Sequence, residues 1–294
     1  MVVIVRLTHG LGNQLFQYAA GLCLAVHHGT DLRLDITALK EVRKDQPFRL
    51  NSFCIDEKLA SSEDIAAFPG AQGDLVGRAR YTIERIFNPY YRCSTFIERG
   101  FTFDPNLFRS QKDVYLFGYW QSEKYFSGIR GTLLKKLELR GEMSLESQRI
   151  AKMISETRAI SVHVRRGDYA NNPATRKFHG TCSREYYENC ASLIKERIPD
   201  ACFFVFSDEP DWARQNLNIG DKITYITSNV PSRPHEDLKL MSMCEGHIIA
   251  NSTFSWWGAW LNRNPNKIVL APRKWFNEAP NDTRDLIPDG WIRI

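Results

Sequence analysis

The chain has 294 residues, of which 43% are hydrophobic and 25% are charged, and its formal net charge is +5. The length suits about two domains, and the composition is that of a soluble globular protein, which excludes a disordered chain. No apolar run reaches the roughly 18 residues that a transmembrane helix needs. The mild positive charge suits an anionic ligand or a peripheral contact with anionic lipid, and it argues only weakly for nucleic acid, which we do not expect as a partner.

The cysteines and the N-terminus indicate a reducing compartment. Seven cysteines are scattered along the chain without a C-x-x-C pair, so neither a disulfide framework nor a zinc site is expected. The N-terminus lacks a basic region followed by a long apolar one, and it is predicted to form a strand instead of a signal peptide. We therefore expect a cytoplasmic protein. The sequence leaves its oligomeric state open.

The first predicted unit is a strand, a glycine-bearing loop and a helix. Residues 2–7 are β-branched and apolar, which indicates a buried strand. Residues 8–14 form a loop with Gly10 and Gly12, and apolar side chains then recur at helical spacing from Leu15 until Gly29. Such a loop could present backbone N–H groups to a phosphate, but a packing turn is at least as plausible. The spacing matches neither the dinucleotide fingerprint nor a P-loop.

The middle of the chain is less regular. A second strand is predicted at 31–36 and another at 114–120, whereas residues 40–112 show few clean periods. Residues 77–91 mix arginines with aromatic and aliphatic side chains, which fits either a helix on an anionic membrane or, as we prefer, a surface helix over a core. Helical patterns on either side of Gly141 place a domain boundary there. The predicted domains are 1–140 and 141–294.

The second half alternates strands with helices, which indicates a parallel, doubly wound sheet. The predicted strands are 159–164, 202–206, 223–226, 247–250 and 267–271, and the predicted helices are 183–197, 210–217, 235–245 and 255–263. Sheets of this kind bind ligands beyond the carboxyl ends of their strands.

Three polar clusters follow strands of this sheet. The first contains His163, Arg165, Arg166 and Asp168, the second is Ser207-Asp-Glu209, and the third is Asn251-Ser-Thr-Phe-Ser-Trp-Trp257. Two arginines beside a helix N-terminus suit a diphosphate, and Asp208 suits a nucleobase or ribose. The chain has no Asp-x-Asp pair, so no metal and no cofactor are expected. Each cluster also has a purely structural interpretation. The arginines could be a solvated pair bound to Asp168, the tryptophans could pack in the core, and Ser255 could simply cap the N-terminus of its helix.

Together these motifs resemble the α1,2-fucosyltransferases of bacteria and animals. The matching stretches are Gly10-Leu-Gly-Asn-Gln-Leu-Phe-Gln-Tyr-Ala19, His163-Val-Arg-Arg-Gly-Asp-Tyr169, Phe206-Ser-Asp-Glu209 and Asn251-Ser-Thr-Phe-Ser-Trp-Trp-Gly-Ala-Trp260. They fall in order and span residues 10–260. The chain is similar to the bacterial type, because it lacks a membrane anchor.

The resemblance implies an α/β fold of GT-B type, with two Rossmann-like domains facing each other across a cleft. It places the acceptor on the side of domain 1–140 and the donor in domain 141–294. It implies inverting, metal-independent transfer from GDP-β-L-fucose, the donor substrate, to the 2-hydroxyl of a terminal β-galactoside. The implied roles are a grip on the β-phosphate for Arg165, proximity to guanine or phosphate for His163, and guanine recognition for Asp208. Ser255, with Thr253 and Phe254 beside it, is implied to contact phosphate, and Asn13 of the Gly10–Gly12 loop is implied to lie near the reacting centre.

The general base stays open at this level. Asp168 is one candidate, but it could instead orient Arg166, and a good leaving group reduces the need for a strong base. His9, His179 and Glu185 are weaker candidates. The rival functions are a fucosyltransferase of α1,6 or protein-O linkage, a non-catalytic GDP or glycan binder, and a nucleic-acid binder. Peripheral contact with the inner membrane is also compatible with the composition.

Overall fold

The computed structural model describes residues 1–41, 46–68, 70, 75–227, 233–277 and 282–294. The chain divides into two compact units. The first comprises Met1–Arg140 and Asp282–Leu286, and the second comprises Gly141–Asn281 and Ile287–Ile294. The division between Arg140 and Gly141 coincides with the predicted boundary, whereas the assignment of 282–286 to the first unit was not predicted.

The first unit is built on a five-stranded parallel sheet of order β3-β2-β1-β5-β4. Its strands are β1 (Val2–Arg6), β2 (Asp31–Asp35), β3 (Lys58–Leu59), β4 (Thr95–Ile97) and β5 (Val114–Phe117). Its α-helices are α1 (Leu11–His28), α2 (Thr37–Glu41), α3 (Ser62–Ala66), α4 (Leu75–Phe87) and α5 (Arg130–Lys136). The predicted strands 2–7, 31–36 and 114–120 are confirmed as β1, β2 and β5.

Helix α1 lies against the sheet and begins earlier than predicted. It starts at Leu11, so Gly12 and Asn13 belong to its first turn and not to a loop. Its end at Gly29 is confirmed: this glycine has a φ of 64° and its N–H donates to the Val26 carbonyl. Left-handed backbone of this kind favours glycine, because it has no Cβ to clash.

Helix α4 leaves its described large apolar side chains in solvent, contrary to the preferred interpretation of residues 77–91 as a helix over a core. Ile83, Ile86 and Phe87 are 56%, 71% and 80% exposed. Glu84, on another side of the helix, accepts hydrogen bonds from the N–H and hydroxyl of Ser94. The helix is therefore held by its polar side, with apolar side chains left in solvent. Within the described ranges, no helix combines the length and apolarity that crossing a bilayer requires.

The second unit contains a six-stranded parallel sheet of order β11-β10-β9-β6-β7-β8. Its strands are β6 (Ala159–Val164), β7 (Cys202–Ser207), β8 (Ile223–Ile226), β9 (Gly246–Ile248), β10 (Ile268–Ala271) and β11 (Ile292–Arg293). Its helices are α6 (Leu145–Ser155), α7 (Gly167–Asn171), α8 (Pro173–Phe178), α9 (Arg184–Arg197), α10 (Pro210–Asn216), α11 (Pro234–Met243) and α12 (Thr253–Leu261). Within this sheet the strands follow the 3-2-1-4-5-6 order of a Rossmann fold. The predicted alternation is confirmed; α7, α8 and β11 were not predicted.

Both faces of this second sheet are buried, as expected when helices cover a parallel sheet. Ile160, Val162 and Val164 pack on the side of α9, whereas Ala159 packs on the side of α6 and α11. Trp256, Trp257 and Trp260 of α12 are at most 2% exposed and contact one another. They are core residues, so the alternative of core packing is confirmed for these tryptophans.

Candidate active site

The candidate site lies where the strand order of the second sheet reverses. Strands β6 and β9 are hydrogen-bonded neighbours, but the chain leaves β6 toward α7 and leaves β9 toward α12. At such a switch point the two connections diverge and leave a crevice beyond the carboxyl ends of the strands. His163 is the penultimate residue of β6, Arg165 follows the strand, and residues 251–255 come shortly after β9. The sheet therefore brings the first and third predicted clusters to one edge.

Arg165 is held between two carboxylates. Its Nη2 donates to Asp168 Oδ1 at 2.7 Å, and its Nη1 lies 3.0 Å from Asp208 Oδ2. The guanidinium also lies over the ring of Tyr169, 5.4 Å from the centroid. The side chain is still 35% exposed. It is thus oriented by its partners while part of its donor-rich fork faces solvent.

Arg166 lies in a more enclosed environment. Its Nε donates to Glu209 Oε2 at 3.1 Å, and its guanidinium stacks over Trp212 at 3.8 Å from the centroid. The suggestion that Asp168 orients Arg166 is wrong, because Asp168 is the partner of Arg165. Arg166 joins the end of β6 to α10; its contact with a donor stays a prediction.

Asp208 contacts the side chain of Arg165 and the backbone of Arg166. In addition to the ion pair with Arg165, its Oδ1 accepts the Arg166 backbone N–H at 2.9 Å. Gly167 permits this approach, because a Cβ there would lie 2.8 Å from Asp208 Oδ2. In this arrangement Asp208 orients the Arg165 side chain and the Arg166 backbone; its recognition of guanine stays a prediction.

His163 is neutral and buried beneath the arginines. Burial, and then the positive charge of Arg165, lower the pKa of His163 to about 3. Its Nδ1 is buried and has no hydrogen-bond partner among the described residues. Phe254 lies beside it, with ring centroids 5.6 Å apart. Because buried polar atoms are nearly always paired, an unpaired imidazole nitrogen under a charged pocket indicates a functional position.

The N-terminus of α12 forms the other side of the switch point. Ser252 is its N-cap, and its hydroxyl oxygen accepts the Phe254 N–H at 3.4 Å. Ser255 lies one turn further on, is buried, and donates its hydroxyl to the Ser252 carbonyl at 3.3 Å. N-capping by Ser255 is therefore wrong. Thr253 and Phe254 are half-buried at the start of the helix, where backbone N–H groups are available to an anion.

Asn251 holds the loop that leads into α12. Its Nδ2 lies within hydrogen-bond distance of three carbonyl oxygens, those of His179, Gly180 and Trp275. His179 also stacks on Tyr169, with ring centroids 4.4 Å apart. His179 thus lies in the wall near Arg165; a role as general base is not tested.

A carboxylate on α11 was missed by the sequence analysis. Asp237 lies in the first turn of α11, which connects β8 to β9 and therefore begins at the carboxyl edge of the sheet. Burial, and then the charge of Glu236, raise the pKa of Asp237 to about 7. The only sequence signal was an acidic residue early in a helix, which usually complements the helix dipole.

The first sheet has its own switch point, between β1 and β5. Gln17 of α1 accepts the Thr8 N–H, and its Nε2 donates to the Thr8 hydroxyl and to the Gly118 carbonyl. Gln14 similarly donates to the carbonyls of His9 and Pro47 and accepts the Arg49 N–H. These two buried glutamines belong to the motif that follows Gly10, and their role here is to hold loops.

Asn13 and Gly10 lie at this first-unit edge. Gln121 donates to Asn13 Oδ1 at 2.8 Å. A Cβ at Gly10 would meet nothing within 4 Å, and its φ of −70° suits any residue. Neither packing nor backbone strain therefore requires glycine at position 10. Gly12 is buried in the first turn of α1.

Glu98, at the end of β4, was also missed. Its carboxylate accepts the backbone N–H of Tyr119 at 2.6 Å and that of Trp120 at 3.0 Å. Burial raises its pKa to about 7, although these two hydrogen bonds act in the opposite direction. Gly118 makes room for it, since a Cβ there would lie 2.4 Å from Glu98 Cβ. Trp120, like His9, has a left-handed backbone, with φ of 57° and 64° respectively.

Among the described residues, no group of three or more His, Cys, Asp or Glu side chains is arranged to hold a metal ion. At the second-unit edge, Asp168 and Glu209 are instead bound to arginines, and Asp208 is bound to an arginine and to backbone.

The chain is similar over its whole length to two proteins of Escherichia coli. It is 34% identical to an alpha-1,2-colitosyltransferase, with 100% of this chain and 99% of that protein aligned. It is 33% identical to the O-antigen biosynthesis glycosyltransferase WbnK, with 98% and 99% aligned. A galactoside alpha-(1,2)-fucosyltransferase 2 of Rattus norvegicus is 25% identical over 61% of this chain and 51% of its own length.

The fold is also found in a solved structure. Arabidopsis thaliana FUT1 in complex with GDP superposes with a TM-score of 0.55 and 12% identity, covering 92% of this chain and 70% of that one. Together with the two parallel sheets, this confirms the predicted α/β, GT-B-type fold class with two Rossmann-like domains. The sequence profile of glycosyl transferase family 11 matches residues 80–294. The chain therefore belongs to glycosyl transferase family 11, and it is a glycosyltransferase.

Proposed function

We propose that this enzyme transfers L-fucose from GDP-β-L-fucose to the 2-hydroxyl of a terminal galactose, with inversion at the anomeric carbon. The observation that carries the proposal is the state of Arg165. Two carboxylates orient it at a switch point, 2.7 and 3.0 Å away, yet it is 35% exposed. A preorientated planar fork is suited to a β-phosphate oxygen. The α1,2 linkage and the deoxy-sugar donor are supported by the names of the relatives.

In the proposed reaction the acceptor oxygen attacks the anomeric carbon from the face opposite GDP. The bond between this carbon and the β-phosphate oxygen breaks, its electron pair stays on the phosphate, and the proton of the acceptor hydroxyl passes to water. Arg165 and the N-terminus of α12 stabilise the charge that develops on the leaving phosphate, so the scheme needs neither metal nor cofactor. We assign donor contacts to His163, Arg166, Asp208, Thr253, Phe254 and Ser255.

Asp168 has two proposed roles that differ in their consequences. Its Oδ1 accepts from Arg165 Nη2 at 2.7 Å, which supports a role in orienting Arg165. The carboxylate oxygen that would take the proton is already occupied by the Arg165 guanidinium. We therefore favour orientation over proton abstraction for Asp168.

The first unit is assigned to the acceptor, a β-galactoside. Asn13, the open position at Gly10 and the neighbouring Gly12 are the residues we place near it. The name of WbnK connects a relative with O-antigen biosynthesis, and we accordingly place this enzyme in the cytoplasm, in peripheral contact with the inner membrane.

A second donor is favoured by one specific observation. A relative that aligns over the full chain at 34% identity is named a colitosyltransferase. Colitose differs from fucose in lacking the 3-hydroxyl, so GDP-colitose would fit the same diphosphate site. Discrimination between the two donors rests on the partner of that hydroxyl.

A donor screen tests the proposal. Purified enzyme is incubated with lactose and GDP-fucose, GDP-colitose or GDP-mannose, and GDP release and product linkage by NMR are measured. We expect fucose transfer with an α1,2 linkage to galactose. A higher kcat/KM with GDP-colitose supports the second donor, an α1,6 linkage contradicts the acceptor assignment, and GDP binding without release contradicts catalysis.

A further inference from the structure

Helix α4 exposes an apolar strip that its own unit does not cover. Ile83, Ile86 and Phe87 are each more than half exposed, at 56%, 71% and 80%, and Ala79 is also exposed. With about 100° between successive helical residues, these four side chains share an arc of about 100°. We call Ala79, Ile83, Ile86 and Phe87 the α4 strip. Single exposed apolar residues are ordinary, but a contiguous strip marks an interaction surface.

The strip is exposed because the helix is fixed by its other side. Glu84 accepts the Ser94 N–H at 2.7 Å and the Ser94 hydroxyl at 2.8 Å. Tyr81 is half-buried and lies close to Gly70. On a helical wheel the midpoint of Glu84 and Tyr81 is about 140° from the centre of the strip. These contacts orient the strip away from the body of the first unit.

A cation lies beside the strip, while the described carboxylates nearby are engaged by the protein. Arg80 is exposed on α4 and lies next to Phe87 on the helical wheel, whereas Arg85 is exposed on the opposite side, with its guanidinium 5.9 Å from the centroid of the Tyr81 ring. Arg92 and Arg99 are exposed in the segment that follows. Among the described acidic side chains, Glu84 is bound to Ser94, Glu98 to backbone N–H groups, and Asp104 to the Tyr90 hydroxyl. The charge of the described residues beside the strip is therefore positive.

We propose that the α4 strip inserts into the headgroup region of an anionic phospholipid bilayer, with Arg80 on a lipid phosphate. An amphipathic helix with an aromatic and aliphatic face and arginines outside that face has the composition of interfacial membrane helices. Each basic residue near an anionic surface adds attraction that salt screens. The binding is peripheral and reversible.

The same charges disfavour a second copy of the chain as the occupant. In a two-fold dimer through the strip, the patch meets itself, so Arg80 of one subunit lies near the equivalent arginine of the other. Like charges at an apolar interface are costly unless paired. Lipid phosphates supply the opposite charge.

Flotation of the full-length protein with vesicles tests the proposal. Vesicles of phosphatidylcholine alone are compared with vesicles that also contain phosphatidylglycerol, at low and high salt. We expect binding to the anionic vesicles, weakened by salt, and at least about tenfold weaker partition for Ile86→Ser/Phe87→Ser and for Arg80→Gln/Arg85→Gln. Leu145→Ser, at an exposed leucine of α6, and Lys152→Gln are matched controls and should bind like wild type.

Several outcomes would overturn the proposal. One is binding to neutral vesicles that equals binding to anionic vesicles, and another is wild-type binding by both double variants. A third is a dimer, detected by light scattering, that dissociates in the Ile86→Ser/Phe87→Ser variant. A lower melting temperature for that variant would also contradict it, since it would show that the strip packs within the protein.

The proposal assigns a surface to the membrane contact proposed above, and it does not depend on the donor or the linkage of the proposed reaction. With lactose as a soluble acceptor, the double variants should keep wild-type turnover. If the donor screen fails while flotation succeeds, the proposed reaction is wrong but the proposed membrane surface is supported. If the donor screen succeeds while flotation fails, the reaction is supported and the membrane surface is wrong.

Discussion

Different kinds of interaction stabilise the carboxyl edge of each sheet. At the first, neutral or buried side chains bind backbone: Gln17 binds Thr8 and Gly118, and Glu98 binds Tyr119 and Trp120. At the second, charged side chains bind one another, as Arg165 binds Asp168 and Asp208. The first edge fixes the shape of loops. The second fixes charges that remain partly exposed.

Because of this difference, substitutions at the two edges should affect different properties of the protein. A buried backbone group that loses its partner keeps its full desolvation penalty, so substitutions at the first edge should lower stability. A partly exposed ion pair contributes little to stability because water screens it. Substitutions at the second edge should therefore change turnover more than stability.

The largest expected effect is that of Arg165→Ala. Removal of one preorganised donor to a developing charge lowers the rate by about 100- to 1,000-fold, while the melting temperature should stay close to that of wild type. Arg165→Lys should fail as well, because an ammonium cannot replace the planar fork. Steady-state kinetics and thermal unfolding measure both properties.

Arg184→Ala is the matched control, since Arg184 is an exposed arginine of α9 paired with Glu188 at 3.8 Å. It should leave both properties unchanged. A folded Arg165→Ala enzyme that retains more than about a tenth of the activity contradicts the assignment of Arg165.

Gln17→Glu is expected to give the largest loss of stability. The new carboxylate oxygen would face the Gly118 carbonyl in the place where an amide N–H now donates. A buried charge without a partner should lower the free energy of unfolding by about 3 kcal/mol. Urea unfolding measures this loss. Gln148→Glu is the control: Gln148 also donates to a carbonyl, that of Met143, but at an exposed position, and its loss should stay within about 0.5 kcal/mol.

Glu98→Gln should change how stability depends on pH. The folded-state pKa of Glu98 is about 7, against an ordinary value of 4.5. Between these values the folded protein binds more protons than the unfolded one, so this group makes the free energy of unfolding fall as pH rises. The variant should be less stable than wild type by about 1–2 kcal/mol at pH 5, because its amide cannot accept from both backbone N–H groups as well as a carboxyl does. The difference should narrow by pH 8.

Urea unfolding at several pH values checks this prediction. Asp237 also contributes to the wild-type slope, because its pKa is about 7 as well. The difference between wild type and Glu98→Gln isolates Glu98, and parallel curves for the two proteins would contradict its raised pKa.

Asp168→Asn is expected to have the smallest effect. If Asp168 only orients Arg165, kcat should fall by less than about tenfold, and the acidic limb of the pH–rate profile should remain. Loss of a general base would instead lower the rate by about 100- to 10,000-fold and remove that limb. The two outcomes separate orientation from proton abstraction without reference to stability.

The strands were predictable where burial was continuous. All six residues of β6 are buried, and the sequence there is an apolar run with one histidine, so its bounds were predicted correctly. Both residues of β3 are exposed, and nothing in Lys58 or Leu59 distinguishes a short edge strand from a loop. The exposure of α4 was mispredicted because periodicity identifies an apolar face but not what covers it.

The candidate site was predictable in composition but not in its pairings. The sequence placed Arg165, Arg166 and Asp168 together, since they are neighbours after one strand. Which arginine meets the aspartate depends on the turn into α7, and the structure pairs Asp168 with Arg165. Glu98 could not have been found from sequence, because its partners are backbone N–H groups about twenty residues away, which carry no side-chain signature.

The return of residues 282–286 to the first unit limits how the chain can be dissected. Asp285 accepts from the Phe103 N–H at 2.9 Å and from Lys124 Nζ at 2.5 Å, so a fragment ending at Arg140 would lose both contacts. Such a fragment should be rescued, at least in part, by a synthetic peptide that covers 282–286. Gene fusions that exchange donor-binding halves between relatives would therefore need two crossover regions, one near residue 140 and one around this returning segment.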